Sequence, residues 1–184
     1  MEQGAQRSHV VVTTLGSDRP GIVDELSEWI LEYGGNIEES RMAVLGSEFA
    51  TLILVTGDGD LHGRLEATRE EFAGAHGLTV YAKPVSAQAP APSAPLLRYV
   101  LRATSLDHPG VVKRVARLLR EQSVNIVSAD THTSSAPFTG AVVFHFQMVI
   151  DVPSTVPICH FREQLRDLGR HENIDFMLAP HTAG

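Results

Sequence analysis

The sequence predicts an α+β protein of two tandem βαββαβ units, each an antiparallel sheet with its helices on one face. Three observations predict it: a motif that returns at fixed spacing, a proline-rich break between its copies, and one order of strand and helix patterns on both sides. Asp18-Arg19-Pro20-Gly21-Ile22-Val23 returns as Asp107-His108-Pro109-Gly110-Val111-Val112, 89 positions on (from 18 to 107). Asn36-Ile37 returns as Asn125-Ile126 in the same register. Between the copies, residues 86–95 are Ala, Pro, Ser and one Gln, with no large apolar side chain to bury. Such a stretch serves as an extended linker. It separates an expected domain at 8–85 from one at 96–180.

In the first copy, His9 to Leu15 is β-branched and fits a strand. Pro20 suits the first turn of a helix, where its missing N–H is not needed. Ile22, Leu26, Trp29, Ile30 and Tyr33 then fall on one helical face. Gly34-Gly35 ends that helix. Strands follow over Asn36 to Val44 and Phe49 to Val55, with a turn at Gly46. Leu61 to Ala75 has helical spacing, with Leu65, Thr68, Phe72 and Ala75 in register. Leu78 to Ala82 makes a last strand, stopped by Pro84.

The second copy repeats this order. Leu97, Tyr99, Leu101 and Ala103 alternate with Arg98, Val100, Arg102 and Thr104, as in a half-buried strand. Val111, Val115, Leu118 and Leu119 make a helix face. Strands at Asn125–Thr133 and Ala141–Val152, a helix near Ile158–Leu168 and a strand at Ile174–Leu178 complete it. Extra residues stand around Ser134-Ser135-Ala136-Pro137. The order β-α-β-β-α-β is that of the split βαβ, ferredoxin-like unit. Its bare sheet face must tolerate water or be covered, and the second copy offers a cover.

Composition narrows the function. The chain has 184 residues, 43% of them hydrophobic and 20% charged, with a formal net charge of -7. An acidic chain lacks the basic surface that gripping nucleic acid through phosphates requires. The one cysteine, Cys159, allows no intrachain disulfide and fits a reducing compartment. No apolar run approaches the roughly 20 residues of a membrane helix, and residues 1–7 have no apolar core of a secretory signal. A cytoplasmic protein that spans no membrane is expected.

The duplicated loop carries the candidate chemistry. A helix start exposes unpaired N–H groups and a partial positive charge, so it attracts carboxylates. Gly21 and Gly110 let a ligand approach the backbone. Asp18 and Asp107 attract an ammonium group, so a zwitterionic amino acid satisfies both demands. Asn36 and Asn125 are expected close to the same loop, where an amide can donate to a carboxylate and accept from an amine. The plain reading stays open beside this one. Aspartate before Pro-Gly also suits a simple helix cap, and asparagine after Gly-Gly suits a turn.

The Asp-x-Pro-Gly helix start, followed by Asn-Ile on the next strand, resembles the ACT domain. Two such domains in so short a chain resemble the glycine cleavage system transcriptional repressor family. The resemblance implies a non-enzymatic, amino-acid-sensing regulator of glycine and one-carbon metabolism that acts through a partner transcription factor without gripping DNA. It implies glycine or serine as ligand, at Asp18, Arg19, Pro20, Gly21, Ile22, Asn36 and Ile37. In the second copy the positions are Asp107, His108, Pro109, Gly110, Val111, Asn125 and Ile126. Family members that bind serine carry Asn at the place of Asp18 and Asp107, and His at the place of Gly16 and Ser105. Arg19 against His108 predicts that the two sites differ. A homodimer is expected.

Other chemistries find less support. The nine histidines form no His-Glu-x-x-His or similarly tight ligand spacing, so no metal or other cofactor is expected. Cys159 and His160 are adjacent on a helix and point apart. Gly57-Asp58-Gly59 is a turn lacking the later ligands of a calcium loop. The acidic run Glu66 to Glu71 fits a solvated helix face. No nucleophile–base pair is visible, which ranks a stand-alone enzyme below two other rivals: a ligand-free interaction module, and a separately encoded regulatory subunit of an amino-acid metabolic enzyme.

Overall fold

A computed structural model describes residues 7–86, 94–106, 109–137 and 139–182. The chain forms two compact units, Met1–Pro90 and Ala91–Gly184. Most of the expected linker, residues 87–93, lies outside the described residues, as do Asp107 and His108.

Unit 1 runs β1 (Arg7–Ser17), α1 (Ile22–Glu32), β2 (Gly35–Leu45), β3 (Glu48–Asp58), α2 (Leu61–His76) and β4 (Thr79–Val85). Unit 2 repeats the order with β5 (Leu96–Leu106), α3 (Val111–Glu121), β6 (Asn125–Ser135), β7 (Val142–Pro153), α4 (Ile158–Glu172) and β8 (Ile174–Pro180). The sheets are antiparallel, ordered β2-β3-β1-β4 and β6-β7-β5-β8. Each is therefore the ferredoxin-like unit expected. Both β2 and β6 carry a bulge, between Ile37 and Glu39 and between Ile126 and Ser128, at equivalent places.

The cores form as alternation dictates. Val10 and Val12 of β1 and Phe49, Ile53 and Val55 of β3 are buried with Ile22, Leu26, Trp29 and Ile30 of α1 and Leu61, Leu65 and Phe72 of α2. Trp29 stacks on Phe72 at 4.7 Å, and its Nε1 donates to Thr68 Oγ1 at 3.0 Å. In unit 2, Leu101, Ala103, Phe146, Met148 and Ile150 pack with Val115, Leu119, Phe161 and Leu165. Leu97 departs from its expected place: it is exposed and does not join the core.

Three expectations need correction. Pro20 is not in the first helical turn: α1 begins at Ile22, behind a cap at Gly21. Pro84 does not stop β4, which continues to Val85. β4 is an edge strand, where a proline without an N–H is tolerated. Ser134 and Ser135 belong to β6, paired with Val143 and Val142, so the insertion lies further on, in the 136–141 hairpin loop. Its counterpart in unit 1 is the two-residue loop Gly46-Ser47.

The bare sheet faces differ. In unit 1 that face presents Leu15, Leu52 and Tyr81, with Leu52 and Tyr81 both opposite Thr13. In unit 2 it carries polar groups beside the exposed Leu106 and Met177. Arg102 Nε donates to Gln147 Oε1 at 2.7 Å, and His145 lies within hydrogen-bond reach of Thr104 and Ser134. Arg98 grips the Asp151 carboxylate with two hydrogen bonds of 2.8 and 2.9 Å.

Those hydrogen bonds from Arg98 hold the Asp151 carboxyl below the usual carboxylate range, against the opposing effect of burial. A group with a depressed folded pKa stabilises above its unfolded pKa, and the contribution is lost as pH falls through the folded value. Asp151→Asn is expected to destabilise unit 2 at pH 7 by about 1–3 kcal/mol, the scale of a hydrogen-bonded charge. Urea titrations followed by circular dichroism should show the gap to the parent closing as pH drops below about 4.

Candidate ligand-binding site

Asp18 to Gly21 carry the chain from β1 into α1. The Asp18 N–H donates to Ser47 O at 2.8 Å, which ties the loop to the tip of the β2–β3 hairpin. Gly21 then takes φ 96°, and Gly110 takes φ 95° at the start of α3. A side chain resists that left-handed conformation, so the motif glycines are required by the turn itself.

Gly21 and Gly110 have no side chain to cap with, and no side chain among the described residues caps either helix start. Asp18 therefore does not serve as the simple cap that its position allowed. The first bonds of the two helices are Glu25 N–H to Gly21 O at 3.0 Å and Arg114 N–H to Gly110 O at 3.1 Å. The amides of Ile22, Val23 and Asp24, and of Val111, Val112 and Lys113, thus have no partner within their helices. The Ile22 and Val111 side chains are buried in their cores, so only their backbone can serve a ligand. A β-carbon on Gly21 would meet only Glu25 Oε1 at 3.6 Å and Arg19 Nη1 at 3.9 Å, which leaves the backbone open to approach. Asp18, Pro20 and Gly21 are exposed, and Arg19 is half-buried.

Charge sets the two helix starts apart. In unit 1, Arg19 donates two hydrogen bonds to Glu25, at 2.8 and 2.5 Å, and His76 Nδ1 lies 2.9 Å from Glu25 Oε2. Hydrogen bonding from Arg19 holds the Glu25 carboxyl below its ordinary range. The first turn of α1 carries Asp24 and Glu25, whereas that of α3 carries no acid. Arg114 stands where unit 1 has Glu25, and it pairs at 2.7 Å with Glu172 at the end of α4. It also donates to Pro109 O at 3.2 Å. The positive end of α1 is answered by its own carboxylates, and that of α3 is not.

The asparagines are not where the sequence reading put them. Asn36 pairs with Thr56, which faces His9 near the beginning of β1. The loop instead lies beyond Ser17, which faces Glu48, itself paired with Leu45 at the far end of β2. Nine strand residues, about 30 Å, separate Asn36 from that level. The cause is α1, which carries the chain back to the other end of the sheet before β2 starts. Asn125 repeats the arrangement, opposite Asp151 and Arg98, while Leu106 is level with Ser134. The asparagines line separate cavities: one of about 390 Å³ with Gly34, Gly35 and Thr56, the other of about 400 Å³ with Leu119, Ser123 and Val124. Ile37 packs on the core of unit 1, and Ile126 is exposed.

The sequence reading missed Glu25, His76, Arg114 and Glu172. A signal for one pair was present, since Glu25 and Arg114 are themselves 89 positions apart (from 25 to 114).

Family models of the ACT domain match residues 8–83 and again residues 99–168. The glycine cleavage system transcriptional repressor of Escherichia coli (strain K12) is 27% identical over 164 residues, 89% of this chain and 85% of that protein. A crystal structure of a protein from Galdieria sulphuraria aligns with TM-score 0.81 at 27% identity, over 96% of this chain and 100% of that one. A solved structure of a protein named for the same repressor shows the same fold, with TM-score 0.71 at 24% identity, over 97% of this chain and 100% of that one. With two matched domains and both sheets in the order described, this chain belongs to the ACT-domain family and carries its domain twice in tandem.

Proposed function

We propose that the chain is a non-enzymatic regulator that senses a small amino acid, glycine or serine, and passes the signal to a partner protein that controls transcription of glycine and one-carbon metabolism. The observation that carries this reading is the helix start behind a left-handed glycine, repeated in both units and uncapped among the described residues. Three amides without a partner inside the helix suit a carboxylate, and the exposed Asp18 before α1 suits an ammonium group. The name of the Escherichia coli relative supports the regulatory role. Among the described residues, no group of three or more His, Cys, Asp or Glu is placed to hold a metal. No described helix is long and apolar enough to cross a membrane.

The charge difference ranks the two sites. A carboxylate meets less repulsion at α3 than at α1, so unit 2 is the tighter site in this reading. Asn36 and Asn125 lie too far from the loop of their own unit to join it, and a homodimer, in which a second copy can supply them, is the working form proposed.

Calorimetric titration of the full chain with glycine, serine and the other small amino acids is expected to give heat with at least one of them. Silence across the set would remove the sensing role and leave a ligand-free interaction module. Gly110→Ala should destabilise unit 2 by about 1–2 kcal/mol, because alanine resists the left-handed φ. It should also weaken the tighter binding event by about tenfold, while Gly21→Ala leaves that event in place. Asp18→Ala is expected to weaken only the other event, so two-site fits of the three variants separate the loops.

A further inference from the structure

Unit 2 has a groove of about 510 Å³ between α4 and the outer edge of β8, lined by Arg162, Arg166, Arg170, Leu165, Phe176 and Leu178 among others. The arginines recur every fourth residue on α4, so they rise along one helix face about 6 Å apart. All three are exposed. Arg162 and Arg166 make no ion pair or hydrogen bond with a described residue, and Arg170 has only an exposed contact with Asp167 at 3.4 Å. Asp175 also lines the groove, so three arginines face one carboxylate there, a local cationic excess in a chain of net charge -7.

The floor of the groove is the edge of a sheet. β8 pairs only with β5 in the sheet of unit 2. His181 N–H donates to Arg98 O at 2.9 Å, which makes their level a hydrogen-bonded one. Alternation then turns the backbone groups of Asp175, Met177 and Ala179 toward β5, and those of Phe176 and Leu178 outward into the groove.

We infer that this groove binds an extended acidic segment of a partner protein, laid as an added strand along β8 with its carboxylates under Arg162, Arg166 and Arg170. Alternate residues of a strand are about 6.6 Å apart, close to the rise between successive arginines. Backbone bonding to the edge supplies affinity and the arginines supply selectivity. The feature is particular to unit 2. Counted back from the left-handed caps Asn173 and Gly77, the positions of Arg162, Arg166 and Arg170 are Glu66, Glu70 and Gly74 in unit 1. A helix packed on this sheet does not need the arginines. The inference rests on the reading that the chain acts through a partner protein, and it does not require the amino-acid site.

A fluorescent ten-residue peptide of alternating glutamate and valine, titrated into the full chain at low salt and followed by anisotropy, tests this. Binding should fall at least about tenfold in R162E/R166E and by less in R162Q/R166Q, with unchanged circular dichroism. The bound peptide should slow hydrogen exchange at the Phe176 and Leu178 amides, and an alternating lysine–valine peptide should not bind. No peptide binding, equal binding by the glutamate variant, or unprotected β8 amides would overturn the inference. So would an oligothymidylate that binds these arginines more tightly than the acidic peptide. None of those results touches calorimetry with glycine and serine, so failure here and failure of amino-acid sensing are told apart.

Discussion

A positive backbone angle at one glycine per unit governs what each domain can do. Gly21 and Gly110 turn the chain from an extended strand into a helix through a conformation that L side chains resist. A glycine offers no side chain to cap the helix it starts, and none among the described residues does so. The first three amides of each helix therefore have no partner within it, while Ile22 and Val111 are buried in the core. The proposed ligand surface and the core anchor are adjacent residues of one turn. That economy explains why the motif repeats as a block.

The order of elements was legible because each pattern has a local cause. β-branched residues marked β1, alternation marked β5, helical spacing marked α1 and α2, and paired glycines marked the end of α1. The strand ends were less legible: β3 extends from Glu48 to Asp58, past the Phe49–Val55 read from side chains. Pairing with β1 on one side and β2 on the other sets that length, and a sequence window does not contain its neighbours. Pro84 misled for the same reason, since its cost depends on whether β4 is central or at an edge.

The turn geometry of the candidate loop was legible in the sequence, and the placement of the asparagines was not. Asn36 follows α1 closely in sequence, which invited the idea of a shared crevice. An 11-residue helix spans about 16 Å and runs antiparallel to the strand before it, so the next strand starts at the opposite end of the sheet. Helix length was available in the sequence and would have given the correct answer. The charge contrast between the loops was also available, because Glu25 and Arg114 occupy one register. Identity between the copies drew attention to the motif, and the difference between them lay two residues beyond it.

Duplication followed by charge reversal is the pattern that links these features. The clasp between the first and second helices of each unit is kept while its polarity changes: Glu25 with His76 in unit 1, Arg114 with Glu172 in unit 2. The α2 positions Glu66 and Glu70 become Arg162 and Arg166. Cores cannot change in this way, because a buried charge without a partner is costly, and the two cores remain apolar. Exposed helix faces are free to change, since a surface ion pair contributes about 0–1 kcal/mol whichever partner carries which sign. A duplicated domain can thus acquire a different ligand preference and a different partner surface at almost no cost in stability. A ligand moves a two-state protein only by its difference in affinity between the states. If both loops take the proposed ligand, two copies with unequal helix starts respond over different concentration ranges, which identical copies acting independently do not.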